Sequence, residues 1–338
     1  MKRTYRILGV CMAAALFAAS CGSEASEGTG SEGNNQEGDN KESKTASGDA
    51  IDICVSTHAA EGDSFWGVVQ KAVDDAAGAV DANITYTSSN DVNEQANFLT
   101  DCVEKGTQGV VVSLANPEGM ESAVKAASDK GVPIITINSG SGSYDFDNVI
   151  GHVGQEEDIA GEGAGKGLND AGVSGKVICV VHESGNVSLE SRCKGLEETY
   201  EGEVENFDVS STGTQDISGT QDTLTDKLGS DSDVAAVMTL NPDVAGAARE
   251  AISSSSSEAK LATFDLGSEV LDGIESGDIL FAIDQQPYLQ GYLPIVHLRL
   301  KIDNENVVGG GQPVLSGPSL VTTENVEAIK ELIDSGTR

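Results

Sequence analysis

Positive charge is scarce in this chain. Its 338 residues carry 20 Lys and Arg against 55 Asp and Glu, a formal charge of −35. That field repels nucleic acid and anionic lipid alike and excludes a nucleic-acid-binding role. No basic helix-turn-helix opens the chain, which argues against a transcriptional repressor. Aromatic residues are also few, with Trp66 the single tryptophan. Catalytic signatures are lacking. There is no Gly-x-Ser-x-Gly elbow, and GEGAGKG (161 to 167) is not a phosphate loop, because Gly167 follows Lys166 and Ala160 stands where the first glycine belongs. These glycines fall on a helix-patterned segment, where they permit close helix packing. The expectation is a non-enzyme without cofactor or metal.

The one pronounced apolar run lies at the start. Lys2, Arg3 and Arg6 precede Ile7 to Ala19, which is too short to span a bilayer as a stable helix. Ala18, Ala19 and Ser20 then lead to Cys21, the pattern of a lipoprotein export signal covering residues 1–21, with Cys21 lipidated. Cys11 is a poorer candidate, since bulky Val10 would sit at the cut. Residues 22–50 are Gly, Ser, Glu, Asn and Thr without a large apolar residue, so they read as a disordered acidic linker. Acyl chains would then hold the protein on the outer side of the cell membrane, at a periplasmic or cell-surface face.

Four cysteines remain in the body: Cys54, Cys102, Cys179 and Cys193. An even number in an exported chain suggests disulfides. The preferred pairing joins Cys179 to Cys193, tying a strand to the helix that follows it, and Cys54 to Cys102. A zinc cluster using Cys179, His182 and Cys193, or free buried thiols, are the alternatives.

From Ile51 onward, short apolar strands alternate with helical spacing. Strand-like runs are 51–56, 83–88, 109–114, 132–138, 176–181, 204–210, 234–240, 260–264 and 279–284. Helical segments include 65–80, 118–130 and 159–171. This order implies α/β architecture with parallel sheets covered on both faces. The strands are too many for one modest sheet, and 140–148 breaks the series, so two doubly wound sheets are expected.

In such sheets, ligands sit beyond the carboxyl ends of the strands. Those ends lead to Phe65 and Trp66, Asn116, Asn138, Arg192, Asn241, Asp265 and Gln285. Amides donate and accept, carboxylates accept, and a guanidinium donates in a planar fork, which together match the hydroxyls of a sugar or polyol. The aromatic pair could pack on the C–H faces of a sugar ring. Core packing for Trp66, turn formation for Asn138 and Asn241, and helix capping for Asp265 are the plainer alternatives. His152 and His182 read as structural or solvent-facing.

Several stretches carry a family resemblance: DSFWGVVQKAVDDAA, NPEGMESAVKAASDKGVPIITINSG, GHVGQEEDIAGEGAGKGL, SLESRCKGLEE, ATFDLGSEV and AIDQQPYLQGY. Together they resemble the type I, ribose-binding-protein-like solute-binding proteins of ABC importers, over nearly all of the chain from Ile51. The resemblance implies two α/β lobes joined by three crossings, the first at 51–154 plus 286–311 and the second at 155–285 plus 312–338. It implies that Phe65 and Trp66 stack on the ligand and that Asn116 is a polar contact of the first lobe. Arg192, Asn241, Asp265 and Gln285 would serve the second lobe and the hinge. Ribose binders carry Asp then Arg where Asn138 and Ser139 stand here, so a neutral polyhydroxylated ligand other than ribose is implied. The expected partners are that ligand and the permease subunits of an ABC transporter, with the protein itself a monomer. A sensor that presents its closed form to a chemoreceptor or histidine kinase is the alternative.

Overall fold

Runs of aliphatic and β-branched residues, buried on both faces, make the central strands of two sheets. The computed structural model describes residues 49–143 and 145–338. The export signal, Cys21 and nearly all of the linker lie outside the described residues.

Elements alternate along the chain. The first half runs β1 (Ile51–Thr57), α1 (Ser64–Val80), β2 (Ala82–Ser88), α2 (Val92–Glu104), β3 (Gly109–Ser113), α3 (Pro117–Asp129), β4 (Ile134–Ile137) and β5 (Val149–Gly154). The second runs α4 (Glu157–Asp170), β6 (Lys176–Val181), α5 (Val187–Thr199), β7 (Glu203–Asp208), α6 (Ile217–Ser230), β8 (Val234–Thr239), α7 (Pro242–Ser255), β9 (Lys260–Phe264), α8 (Ser268–Ser276) and β10 (Ala282–Asp284). Then follow α9 (Pro287–Asn304), β11 (Val314–Leu315), β12 (Ser319–Val321) and α10 (Lys330–Asp334).

The strand orders are β11-β5-β4-β3-β1-β2 and β12-β10-β9-β8-β6-β7. All pairs are parallel except β10 with β12. Each sheet therefore winds out in both directions from its first strand. That places a topological switch point between β1 and β3 in one sheet and between β6 and β8 in the other.

Three crossings join the sheets, after β5, after β10 and after β11. The expected third boundary at 311 falls short: Val314 and Leu315 pair with Val153 and Gly154, so the first sheet gains an edge strand beyond it. That strand has two residues, too few to show a period. Likewise β5, VIGHVG, was hidden by its two glycines and its half-exposed leading residues.

Both disulfides of the preferred pairing are present, Cys54 (β1) to Cys102 (α2) and Cys179 (β6) to Cys193 (α5). With its sulfurs joined, the Cys179/Cys193 pair is no zinc ligand set. Among the described residues, no helix is long and apolar enough to cross a membrane.

Candidate functional site

The strand ends of the two sheets face each other across a crevice of about 30 Å³. Local backbone explains how several side chains are aimed into it. Asn138 and Asp265 follow β4 and β9 in the left-handed conformation, at φ 58° and 67°. Asn and Asp adopt that conformation more readily than other residues with a Cβ, and here it turns the chain sharply at the strand end. Asp63 is the N-cap of α1, accepting from the Trp66 backbone N–H at 3.3 Å. The next two residues of the helix, Phe65 and Trp66 after Ser64, are thereby held at the crevice wall, their rings 5.3 Å apart and nearly perpendicular.

Close helix packing delivers the one arginine. A Cβ at Gly161 of α4 would lie 2.2 Å from the Arg192 carbonyl oxygen, and one at Gly195 of α5 would lie 2.2 Å from that of Asp158. Glycine at both positions lets α4 and α5 touch along their backbones. Arg192 on α5 then meets Glu157 at the start of α4, with Nε and Nη2 donating to the two carboxylate oxygens at 2.6 and 3.0 Å. Its Nη1 lies 3.8 Å from Asp265 Oδ2. The guanidinium also sits 4.9 Å from the Phe264 ring centre. Burial lifts the Asp265 carboxyl to about 7, against the opposing pull of Arg192 and of the Gln285 amide.

Seven of the eight expected residues line this one crevice: Phe65, Trp66, Asn138, Arg192, Asn241, Asp265 and Gln285. Asn116 does not. It is exposed, and its Oδ1 caps α3 through the Gly119 N–H at 2.9 Å. It faces an adjoining chamber instead. The plainer alternative for Asp265 also fails, since the N-cap of α8 is Gly267. Asn241 does both jobs: its Oδ1 caps α7, and its Nδ2 donates across the crevice to Asp63 Oδ2 at 3.1 Å.

Direct contacts bridge the crevice at several points. Ser64 bonds Asp243 through Oγ and backbone N–H, at 2.8 and 3.2 Å. Asn138 donates to Gln285 Oε1 at 3.2 Å, and Gln285 in turn donates to Asp265 Oδ1 at 2.8 Å. The Val187 N–H reaches the Ala115 carbonyl at 3.0 Å. Burial, with Asp243 nearby, raises the Asp63 carboxyl to about 7.

Two crevice histidines were not expected. His58 follows β1, accepts or donates at Nδ1 with Ser113 Oγ at 2.7 Å, and points Nε2 toward Glu183 at 3.8 Å. His182 follows β6 and is buried rather than solvent-facing, and its Nδ1 has no hydrogen-bond partner among the described residues. Burial, reinforced by Arg192, keeps His58 neutral down to about 3; burial chiefly keeps His182 neutral down to about 4. His152 is structural as read, packed with Nδ1 2.9 Å from Thr136 Oγ1.

Where the crossings meet, Gln286 Nε2 donates to the Ser316 carbonyl at 2.7 Å. Buried Asp284 accepts from Arg338 Nε at 2.7 Å, and the same guanidinium donates to Gln286 Oε1 at 3.2 Å.

Residues 53–306 match the family model described as periplasmic binding protein domain. The xylose/arabinose-binding protein of Sulfolobus acidocaldarius is 25% identical over 280 residues, 78% of this chain and 69% of that one. The ribose import binding protein of Haemophilus influenzae is 24% identical, over 63% of this chain and 72% of its own. Among solved structures, a carbohydrate transporter from Acidothermus cellulolyticus 11B in complex with myo-inositol superposes with a TM-score of 0.82 at 32% identity. That likeness covers 86% of this chain and all of the other.

Proposed function

The chain belongs to the periplasmic binding protein domain family, of the ribose-binding type, and on that premise we propose that it captures a neutral monosaccharide or polyol between its lobes for an ABC permease. The observation that carries this reading is the convergence of one guanidinium, three carboxyls and four amides with two aromatic rings on a single crevice. Among the described residues Arg192 is the only cation there, and Glu157 already neutralises it. Glu183 shares those walls with Asp63 and Asp265, whose carboxyls ionise near 7, so a phosphate or carboxylate on the ligand would meet like charge. An uncharged polyol fits this balance.

Capture proceeds by hinge closure. The moving bodies are residues 51–154 with 286–315 and residues 155–285 with 316–338. The crevice as described has room for little more than water, so a sugar ring must enter with the lobes apart. Ligand hydroxyls would then take over bonds that now run directly between side chains, such as Asn138 to Gln285. Lipidation at Cys21 would keep the protein beside the permease.

A thermal-shift screen against pentoses, hexoses, inositols, sugar phosphates and amino acids tests the reading. A neutral sugar or polyol at a hundredfold its Kd should stabilise the fold by ~2.7 kcal/mol. Stabilisation by a phosphate or an amino acid alone would refute it.

A further inference from the structure

The crevice adjoins a second chamber of about 440 Å³ between the same lobes, and the two share His58, His182, Glu183 and Asn186 as walls. Past those residues the lining turns to amides and hydroxyls: Asn90 and Asn116 from one side, Ser210, Thr214 and Gln215 from the other. Among the described residues no lysine or arginine lines it, so nothing there is built to hold an anion. Its other carboxylate, Asp91, is engaged as the N-cap of α2.

Two features distinguish this space from a mere entrance. It persists with the lobes in contact, since the Val187 to Ala115 backbone bond runs from the neighbour of the wall residue Asn186 to the wall residue Ala115. And the unpartnered Nδ1 belongs to His182, a buried side chain on the wall common to both cavities. A buried polar atom without a partner among the described residues is costly in a folded protein, and a ligand present as the lobes close would supply the partner that this sealed arrangement lacks.

We propose that the chamber is a second saccharide subsite, so that the ligand is a glycoside with one ring in the crevice and a second ring among Asn90, Thr214 and Gln215. The glycosidic linkage would pass between His182 and Glu183. This rests on the reading of the crevice as a carbohydrate site, and extends it from a single ring to two. Amide and hydroxyl walls without cations suit a neutral sugar and not a phosphate substituent.

Calorimetry on the exported chain with three matched pairs tests it: myo-inositol and galactinol, galactose and melibiose, glucose and cellobiose. At least one glycoside should bind as tightly as its free ring or more tightly. Thr214→Trp, which fills the chamber, should weaken that glycoside at least tenfold and leave the free ring within twofold. Should that variant not fold, Asn90→Ala with Gln215→Ala gives the same comparison. Free rings that bind while every glycoside is over a hundredfold weaker would overturn the subsite and leave the crevice assignment standing. Equal weakening of ring and glycoside by the chamber variants would overturn it too. Binding of neither member of any pair would remove the carbohydrate reading and the subsite together.

Discussion

Arg192 and Glu157 form a buried two-bond fork, at 2.6 and 3.0 Å, that holds the guanidinium still while its third nitrogen faces Asp265. A pair of this kind aims a donor at a ligand without leaving a net charge in the crevice. It also means that the arginine serves the fold as well as the site.

The two roles can be separated. Arg192→Ala leaves Glu157 buried without its counter-ion, holding only the bond from Gln155 Nε2, which should cost ~3–5 kcal/mol of stability. It should also weaken ligand binding at least tenfold, equivalent to ~1.4 kcal/mol. Arg192→Met combined with Glu157→Gln should recover most of the stability and none of the affinity. Denaturant melts and calorimetry on both variants decide this; restored binding in the double variant would remove Arg192 from the site.

Asp63 makes the pH dependence specific. Its carboxyl titrates near 7 in the folded protein and near 3.8 when free, so the folded state holds a proton that the unfolded chain has released between those values. Stability from this group therefore falls as pH rises from about 4 to about 7. Asparagine caps a helix as well as aspartate does and cannot ionise. The stability of Asp63→Asn relative to the parent should climb across that window, while the lost bond to Asn241 shifts the whole curve without tilting it. A flat difference between pH 4 and 7, measured by urea melts, would show that the carboxyl is ionised throughout.

The two disulfides differ in the length of chain they close, 48 residues for Cys54–Cys102 and 14 for Cys179–Cys193. On the loop-entropy account, removing them as Cys-to-Ala pairs should cost ~4 and ~3 kcal/mol respectively. Equal losses, or no loss on reduction, would contradict it.

Lobe separation has a built-in reporter. Trp66 is the only tryptophan, it is buried, and its ring meets that of His58 edge-on at 4.8 Å. Asp243→Ala removes both bonds from Ser64 that latch the crevice beside it. The variant should show red-shifted emission and easier acrylamide quenching, and saturating ligand should reverse both. Identical spectra for parent and variant would mean that the latch does not restrain opening.

Much of this was legible in the residues. The central strands carry unbroken apolar runs, and helix limits such as 159–171 fall within two residues of Glu157–Asp170. Strand-end reasoning found seven crevice residues because a parallel sheet gathers its strand-to-helix loops at one end. Asn116 falls outside the crevice for a local reason: in Asn-Pro the proline occupies the first helical position and the asparagine caps. The same dipeptide at 241–242 could have announced the capping half of Asn241's work. Glu157, His58 and His182 escaped because burial and pairing, which give them their roles, depend on contacts between remote segments. Only the glycine spacing on α4 hinted that something on α5 would come close.

The Arg338–Asp284 contact described at the crossings carries a practical warning. The Arg338 side chain rests where the crossings meet, so a protease nick that removed it would strip a counter-ion from an enclosed carboxylate. Weaker ligand binding after such trimming would then reflect a disturbed joint, with the crevice walls themselves left whole.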